Sequence, residues 1–417
     1  MAHRFLQIHT LTPYPASLLN RDDAGFAKRM PFGGAVRTRV SSQCLKRHWR
    51  TADDENALHK IQYLGDDIPM AVRSRRTFDQ HLFDPMIEDH DIAPEVAEAI
   101  GHGILEELLG ESKKAQAAKK KAQEEDEKIE VDMETKQVTV FGRPEINYLL
   151  GLALDVAREV ESQDDPSKQA KEAKKAIKSR LKDRDLRKNL ERVGAGLDAA
   201  LFGRMTTGDI LSRTDAAIHV AHAFTTHEGE FETDYFSALD DLMEGHETGS
   251  GHINTAELSS GLFYCYVVVD VPLLISNITG CVRRDWREAE PDGRALAAEV
   301  VRRLIHLIAT VSPGAKLGAT APYSRAHLVL AEAGNAQPRT LANAFLDAVD
   351  KRGVLERTYR ALGRHVRDLD RMYGADTERR LAAVGPVDAL GQVAGHDQLS
   401  LAEVATWAAQ RVEGATS

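Results

Sequence analysis

Apolar and polar residues mix from Phe5 to Leu11 as they do along a half-buried strand. Turn formers follow, first Pro13, Pro15, Asn20, Asp22, Asp23 and Gly25, then Pro31 and Gly33-Gly34. They predict a loop, closed by a short strand over Ala35–Val40. Alternation in that strand assigns Val36, Thr38 and Val40 to a packing face and Arg37 and Arg39 to an outward face. Ser41 and Ser42 are N-cap candidates for a helix ending near Thr51. Its apolar stripe is Cys44, Leu45, His48 and Trp49, which leaves Gln43, Lys46, Arg47 and Arg50 on the other side.

Residues 58–203 read as mainly helical, as in Pro94–Leu109 and Glu145–Val160, and a further helical piece is expected over Asp209–Phe224. Gly229, Gly245 and Gly249-Ser250-Gly251 then predict a protruding loop or hairpin. Leu262–Val271 is a strand rich in β-branched and aromatic residues. Leu296, Val300, Val301, Leu304 and Ile308 mark a helix, His327–Leu330 the next strand, and Leu341–Val349 a last helix. This order fits an α+β sheet interrupted by a helical insertion, with no internal repeat.

At 417 residues and 42% hydrophobic content, the chain can bury a substantial core. No stretch approaches the roughly 20 apolar residues of a membrane span, and the amino-terminal residues lack a secretory pattern. Three scattered cysteines, Cys44, Cys265 and Cys281, form neither a disulfide framework nor a metal knuckle, so a reduced cytoplasmic protein without a membrane partner is expected. The net charge of −10 argues against a nucleic-acid partner until its distribution is considered. Ala24–Ala52 holds seven basic residues and no acid, whereas Thr214–Val282 holds eleven acids and no Lys or Arg. Such separation suits a protein that grips a polyanion on one side and meets something basic on another, although both stretches also read as solvated surface. Two charge-rich tracts, Ser112–Lys128 and Ser167–Arg192, lie within the helical region. They read as solvated helices or linkers that can also touch nucleic acid.

A phosphate chain calls for fixed positive charge, closely approachable backbone amides and a helix amino end. The Asn20–Arg50 segment offers all three: Gly33-Gly34 for approach, Arg37 and Arg39 as donors, and Ser41-Ser42-Gln43 opening a helix that continues the track with Lys46 and Arg50. The run Ser312–Thr320, with Gly314, Lys316 and Gly318, is either a second phosphate cradle or a plain turn, since its spacing is not that of a P-loop. Catalytic signals are sparse. Asp22-Asp23 reads either as a divalent-cation site for RNA cleavage or, more simply, as loop caps or salt-bridge partners. His219, His222 and His227 lack the pattern of a zinc site and read as packed or surface residues.

The blocks NRDD (Asn20–Asp23), FGG (Phe32–Gly34), RTRVSSQCLKRHWR (Arg37–Arg50), ALFGRM (Ala200–Met205), DAAIHVAHAFTTH (Asp215–His227), DYFSALDDL (Asp234–Leu242), GSGH (Gly249–His252), ELSSGLFY (Glu257–Tyr264) and QPRTLANAF (Gln337–Phe345) together resemble the CasC-type backbone subunit of the type I-E CRISPR Cascade complex. That resemblance implies an α+β fold with a modified RRM-like (ferredoxin-like) palm, a helical fingers insertion and a protruding thumb hairpin. The expected division is 1–57 and 259–350 for the palm, 58–203 for the fingers, 204–258 for a helix and the thumb, and 351–417 for a helical tail without a counterpart in the family. It also implies a non-catalytic subunit, with no cofactor, that lines up copies of itself in a helical filament along the CRISPR RNA, beside other Cascade subunits and the target DNA strand. Guide contacts then fall on Arg21, Lys28, Ser41, Gln43, Lys46 and Arg50, with the Gly314–Gly318 loop approaching the guide. Met205 and Phe236 become thumb or wedge residues. The rival reading is a metal-dependent ribonuclease using Asp22 or Asp23.

Overall fold

The computed structural model describes residues 3–63, 66–68, 70–109, 135, 138–163, 165–183, 186, 196–204, 214–238, 251–314, 320–391, 393 and 398–414, with backbone alone at 66–67, 236–238 and 251–254. Two units result: Met1–Ile61 with Ile218–Ser417, and Gln62–Ala217. In chain order the strands are β1 (Phe5–Ser17), β2 (Arg29–Phe32), β3 (Ala35–Val40), β4 (Gln62–Tyr63), β5 (Asp66–Asp67), β6 (Ala71–Ser74), β7 (Thr139–Gly142), β8 (Ile218–Val220), β9 (Ala223–Thr225), β10 (Glu230–Ala238), β11 (Gly251–Asp270), β12 (Leu328–Gly334) and β13 (Glu378–Ala383).

The first unit is built on an antiparallel sheet in the order β13-β12-β1-β11-β9-β3-β2, with β8 and β10 also paired to β11. β1 runs six residues beyond its expected end at Leu11, through Pro13 and Pro15. The Leu11 carbonyl accepts from the His327 amide on the β12 side, and β12 pairs with β1 only as far as Leu11. Pro13 and Pro15 share Leu11's parity, so their missing N–H groups fall where β1 has no neighbour.

Both faces of this sheet are covered. Leu11, Tyr264, Leu328, Leu330 and Leu381 face Tyr359, Leu362 and Val366 of the helix Val354–Tyr373, together with Leu341 and Phe345. Leu6, Ile8, Val267, Val269 and Ala331 have the opposite parity and are equally buried. The helices Pro291–Thr310 and Leu401–Glu413 pack on that second face. Within the first face lies a buried polar chain. His9 meets the Tyr264 hydroxyl through Nδ1 (2.9 Å) and Glu332 through Nε2 (3.1 Å); Glu332 also accepts from Arg339 (2.7 Å) and Arg379 (2.6 Å), and Arg379 grips Asp370 with two bonds of 2.6 Å.

Three expectations change here. Of the helical piece over Asp209–Phe224, residues 209–213 lie outside the described residues; the remainder supplies β8 and part of β9, because Ile218–Val220 and Phe224 find hydrogen-bonding partners on β11. Leu341–Val349 contains only a short 3₁₀ turn, Ala342–Phe345. The segment expected as a helical tail has its two helices but also supplies the edge strand β13, whose Arg379 is buried against Glu332 and Asp370.

In the second unit, the helices Pro94–Leu109, Arg143–Val160 and Pro166–Lys182 surround a core of Ile100, Ile104, Leu149, Ala153, Val156 and Ile177, beside the β6–β7 ribbon. A Cβ at Gly103 would meet Ile177 Cγ2 at 2.5 Å, so glycine permits the close helix crossing. Much of the second basic tract is the helix Pro166–Lys182. Its Lys174 and Lys178 pair with Glu106, and Lys182 lies 3.6 Å from Glu107. The first tract, 112–128, is outside the described residues. Among the described residues, no helix is long and apolar enough to cross a membrane.

Candidate nucleic-acid interface

The loop between β1 and β2 is tied down by its own polar groups. Asn20 Oδ1 accepts from the Ser41 amide (3.0 Å), and the Asn20 carbonyl accepts from the Lys28 amide (3.0 Å). Asp22 Oδ1 accepts from the amides of Ala24 (3.0 Å) and Phe26 (2.9 Å), which is the loop-capping role. Glu257, from β11, holds the far end: one oxygen accepts from the Ala27 amide (3.0 Å), and the other pairs with Arg29. The Arg29 guanidinium also lies 3.7 Å from the centre of the Phe231 ring. This leaves Arg21 exposed and Lys28 half-buried beside β3.

Gly33 and Gly34 form the β2–β3 turn with φ of +60° and +78°, the positive pair that a two-residue hairpin favours. The close approach at Gly33 serves the chain itself, since a Cβ there would stand 1.4 Å from the Leu346 carbonyl oxygen. Arg37 is also corrected. Side chains alternate along β3 as expected, but the face carrying Arg37 is covered by the Thr225–Thr226 backbone and Phe345. Its buried guanidinium donates to the carbonyls of Phe32 (3.3 Å), Thr225 (3.1 Å), Thr226 (2.7 Å) and Phe345 (2.9 Å). Burial pulls its pKa below the usual arginine value, with Glu228 opposing. Val36, expected to pack, is 47% exposed.

Arg39 is half-buried and donates through Nε to the Arg29 carbonyl (3.2 Å). Ahead of it the helix Ser42–Thr51 begins, capped by Ser41, whose hydroxyl accepts from the Cys44 amide (3.3 Å). The Ser42 amide is taken by His222 Nδ1 (2.9 Å), so two of the first three helical amides, expected to be open, already have acceptors. Burial first, then the charges of Arg39 and Lys28, push the His222 pKa below the usual histidine value. Lys28, Arg39 and His222 therefore converge on the helix's amino end. Leu45 and Trp49 anchor the buried side, while Gln43 and Arg47 are exposed and Lys46 and Arg50 half-buried on the other.

His48 links this helix to the glycine-lysine run. Its Nε2 accepts from the Gly314 amide (3.3 Å), so Nδ1 carries the proton donated to the Cys44 carbonyl (2.8 Å). Gly314 is thus brought to the helix; Lys316, Gly318 and Met205 lie outside the described residues. Phe236 stands opposite Asn254 in the β10–β11 hairpin, with its side chain outside the description. The histidines expected as packed or surface residues differ in role. His227 accepts from the Leu262 amide (3.2 Å) and meets the Glu228 carbonyl (2.7 Å), whereas His219 is exposed. Among the described residues no three His, Cys, Asp or Glu side chains are grouped to hold a metal ion. The role of His222 was not legible, because its partner amide is 180 positions away.

No curated protein sequence matches this chain. Two solved structures resemble it along almost its whole length. One, described as a CRISPR RNA-guided surveillance complex, pre-nicking, is 25% identical and superposes with a TM-score of 0.72 over 98% of this chain and 100% of that chain. Another, a CRISPR RNA-guided surveillance complex, is 20% identical, with a TM-score of 0.64 over 97% and 99%. The sequence itself matches the Cas_CT1975 model over residues 6–407, and the chain belongs to the CT1975-like protein family.

Proposed function

We propose that this chain is a CRISPR-associated, non-catalytic backbone subunit of a type I-E Cascade complex, binding the guide RNA along its length. The observation that carries this reading is the end-to-end likeness, at 25% identity, to a chain of an RNA-guided surveillance complex. In that reading the first unit is an RRM-like palm, and the exposed positions Arg21 and Gln43, with Lys28, Arg39, Lys46 and Arg50, line the guide's phosphates. Gly314, Lys316 and Gly318 extend the same track. The β10–β11 hairpin acts as the thumb, with Met205 and Phe236 as wedges beside unstacked bases, and copies assemble head to tail as a cytoplasmic filament that presents the guide to target DNA. Asp22 is occupied as a loop cap, which favours a scaffold over a metal-dependent nuclease.

The test is purification with neighbouring gene products, followed by sizing of co-purified RNA. A uniform, repeat-derived RNA is expected, and Lys46→Glu with Arg50→Glu should lower its retention at least tenfold. An RNA-free preparation, or magnesium-dependent RNA cleavage abolished in Asp23→Ala, overturns the reading.

A further inference from the structure

The helix Val354–Tyr373 buries Thr358, Tyr359, Leu362, Gly363 and Val366 against the sheet. Its outer side carries Arg357, Arg360, Arg364, Arg367 and Arg371, spaced three, four, three and four residues apart. That spacing draws one straight ridge, about 21 Å long at 1.5 Å per residue. Compensation is partial. Arg360 pairs with Glu356 and Arg371 with Asp368 (2.9 Å), while Arg357 is 3.7 Å from Asp350. These pairs are solvent-exposed and exchange readily for a better anion. Arg367 donates to the Leu390 carbonyl (3.3 Å), and Arg364 has no ion-pair partner among the described residues.

We infer that this arginine ridge is a second nucleic-acid surface that holds a phosphate backbone. Five guanidinium groups on a rigid helix offer bidentate donors at repeated spacing, which suits a row of phosphates better than the scattered carboxylates of a protein surface. The contrast with the lysine-rich helix Pro166–Lys182 supports this, because Lys174 and Lys178 there share the carboxylate of Glu106 within the unit. The ridge stands apart from the guide-binding reading. It lies on the sheet face covered by Tyr359 and Leu362, whereas the helix bearing Lys46 and Arg50 packs against Pro291–Thr310 on the other face. The two surfaces can therefore hold separate strands.

The experiment measures binding of the full-length chain to a labelled 30-base-pair DNA duplex and to a 30-nucleotide single-stranded RNA, across a salt series, with sedimentation to record self-association. Arg360→Glu/Arg364→Glu/Arg371→Glu should weaken binding of at least one probe tenfold or more. Its log–log salt slope should flatten by roughly two to three, since each phosphate no longer neutralised removes about 0.7–0.9 from the slope. The weakened probe identifies which strand the ridge holds. Replacement of the same three residues by Lys should retain most of the binding, and circular dichroism confirms that both variants fold. Unchanged affinity for both probes overturns the inference, as does loss of self-association with nucleic-acid binding intact. Lys46→Glu/Arg50→Glu serves as the independent arm: its failure to affect RNA binding counts against the guide-binding reading and leaves the ridge standing.

Discussion

Arg37 Nη2 lies 2.9 Å from the carbonyl oxygen of Phe345, joining residues 308 positions apart in the chain. The same guanidinium serves Thr225 and Thr226, so one side chain fastens β3, the end of β9 and the turn after Leu341. Arg37→Ala removes the guanidinium donor from these buried carbonyls, of which Thr226 keeps the Val349 amide (3.0 Å), and a loss of about 2–4 kcal/mol is expected. Arg37→Lys should recover little, because one ammonium cannot span the fork. Tryptophan fluorescence during urea unfolding reads this unit alone, since Trp49, Trp286 and Trp407 all lie in it.

His222 accepts the Ser42 amide only while its Nδ1 is unprotonated. Its pKa lies below the unfolded value of 6.5, so the cap is fully present above that pH and is lost as pH falls through the lower folded value. Protonation also adds a third cation beside Lys28 and Arg39. RNA affinity at the helix's amino end should therefore rise between pH 7.5 and 5.5 more steeply in the parent than in His222→Ala. Equal pH profiles for the two proteins would exclude this coupling.

Glu257 holds both the Ala27 amide and Arg29. Glu257→Ala should accelerate hydrogen exchange at Ala27 by about tenfold or more, while the Phe26 amide, held by Asp22, responds less. Glu257→Gln keeps an acceptor for Ala27 and should restore most of the protection. Mass spectrometry of peptides covering 20–28 reports the difference.

Glu332 is fully buried between His9, Arg339 and Arg379. Burial opposes its ionisation, but hydrogen bonds from His9 and Arg339 and the charge of Arg339 prevail and hold its pKa well below the usual carboxylate range. Its contribution is present above about pH 4.5 and disappears as acid titrates it; His9, lowered by burial, adds a loss that begins below 6.5. Glu332→Gln should cost about 3–5 kcal/mol at pH 7, because Arg339 loses its carboxylate partner and Arg379 keeps only Asp370, and proportionally less at pH 4. Urea midpoints at the two pH values test the sign.

Local signals were readable where the chain acts alone. The Pro94–Leu109 bounds, the Ser41 cap and the Leu45–Trp49 stripe follow from composition and spacing within a turn or two. Long-range partners decided the rest. Ile218–Phe224 carries an apolar spacing compatible with either helix or strand, and only β11 resolves it. Arg37 and Arg379 look like surface charge until carbonyls or carboxylates distant in sequence close over them. For the candidate interface, the charge cluster was legible, but the capture of Ser42 by His222 and of Gly33 by Leu346 was not.

The pairing of β1 with β11 also bears on how the protein is made. Gln7 and its hydrogen-bonded partner Tyr266 are 259 positions apart, with the second unit between them. At about 5–20 residues per second of synthesis, β1 leaves the ribosome roughly 13–50 s before its central partner exists. Throughout that interval Leu6, Ile8 and Leu11 have no sheet to enter, whereas Gln62–Ala217 has its core once Ala217 has emerged, before Tyr266 is made. The second unit can thus fold first, and β1 must be shielded on the nascent chain until β11 arrives.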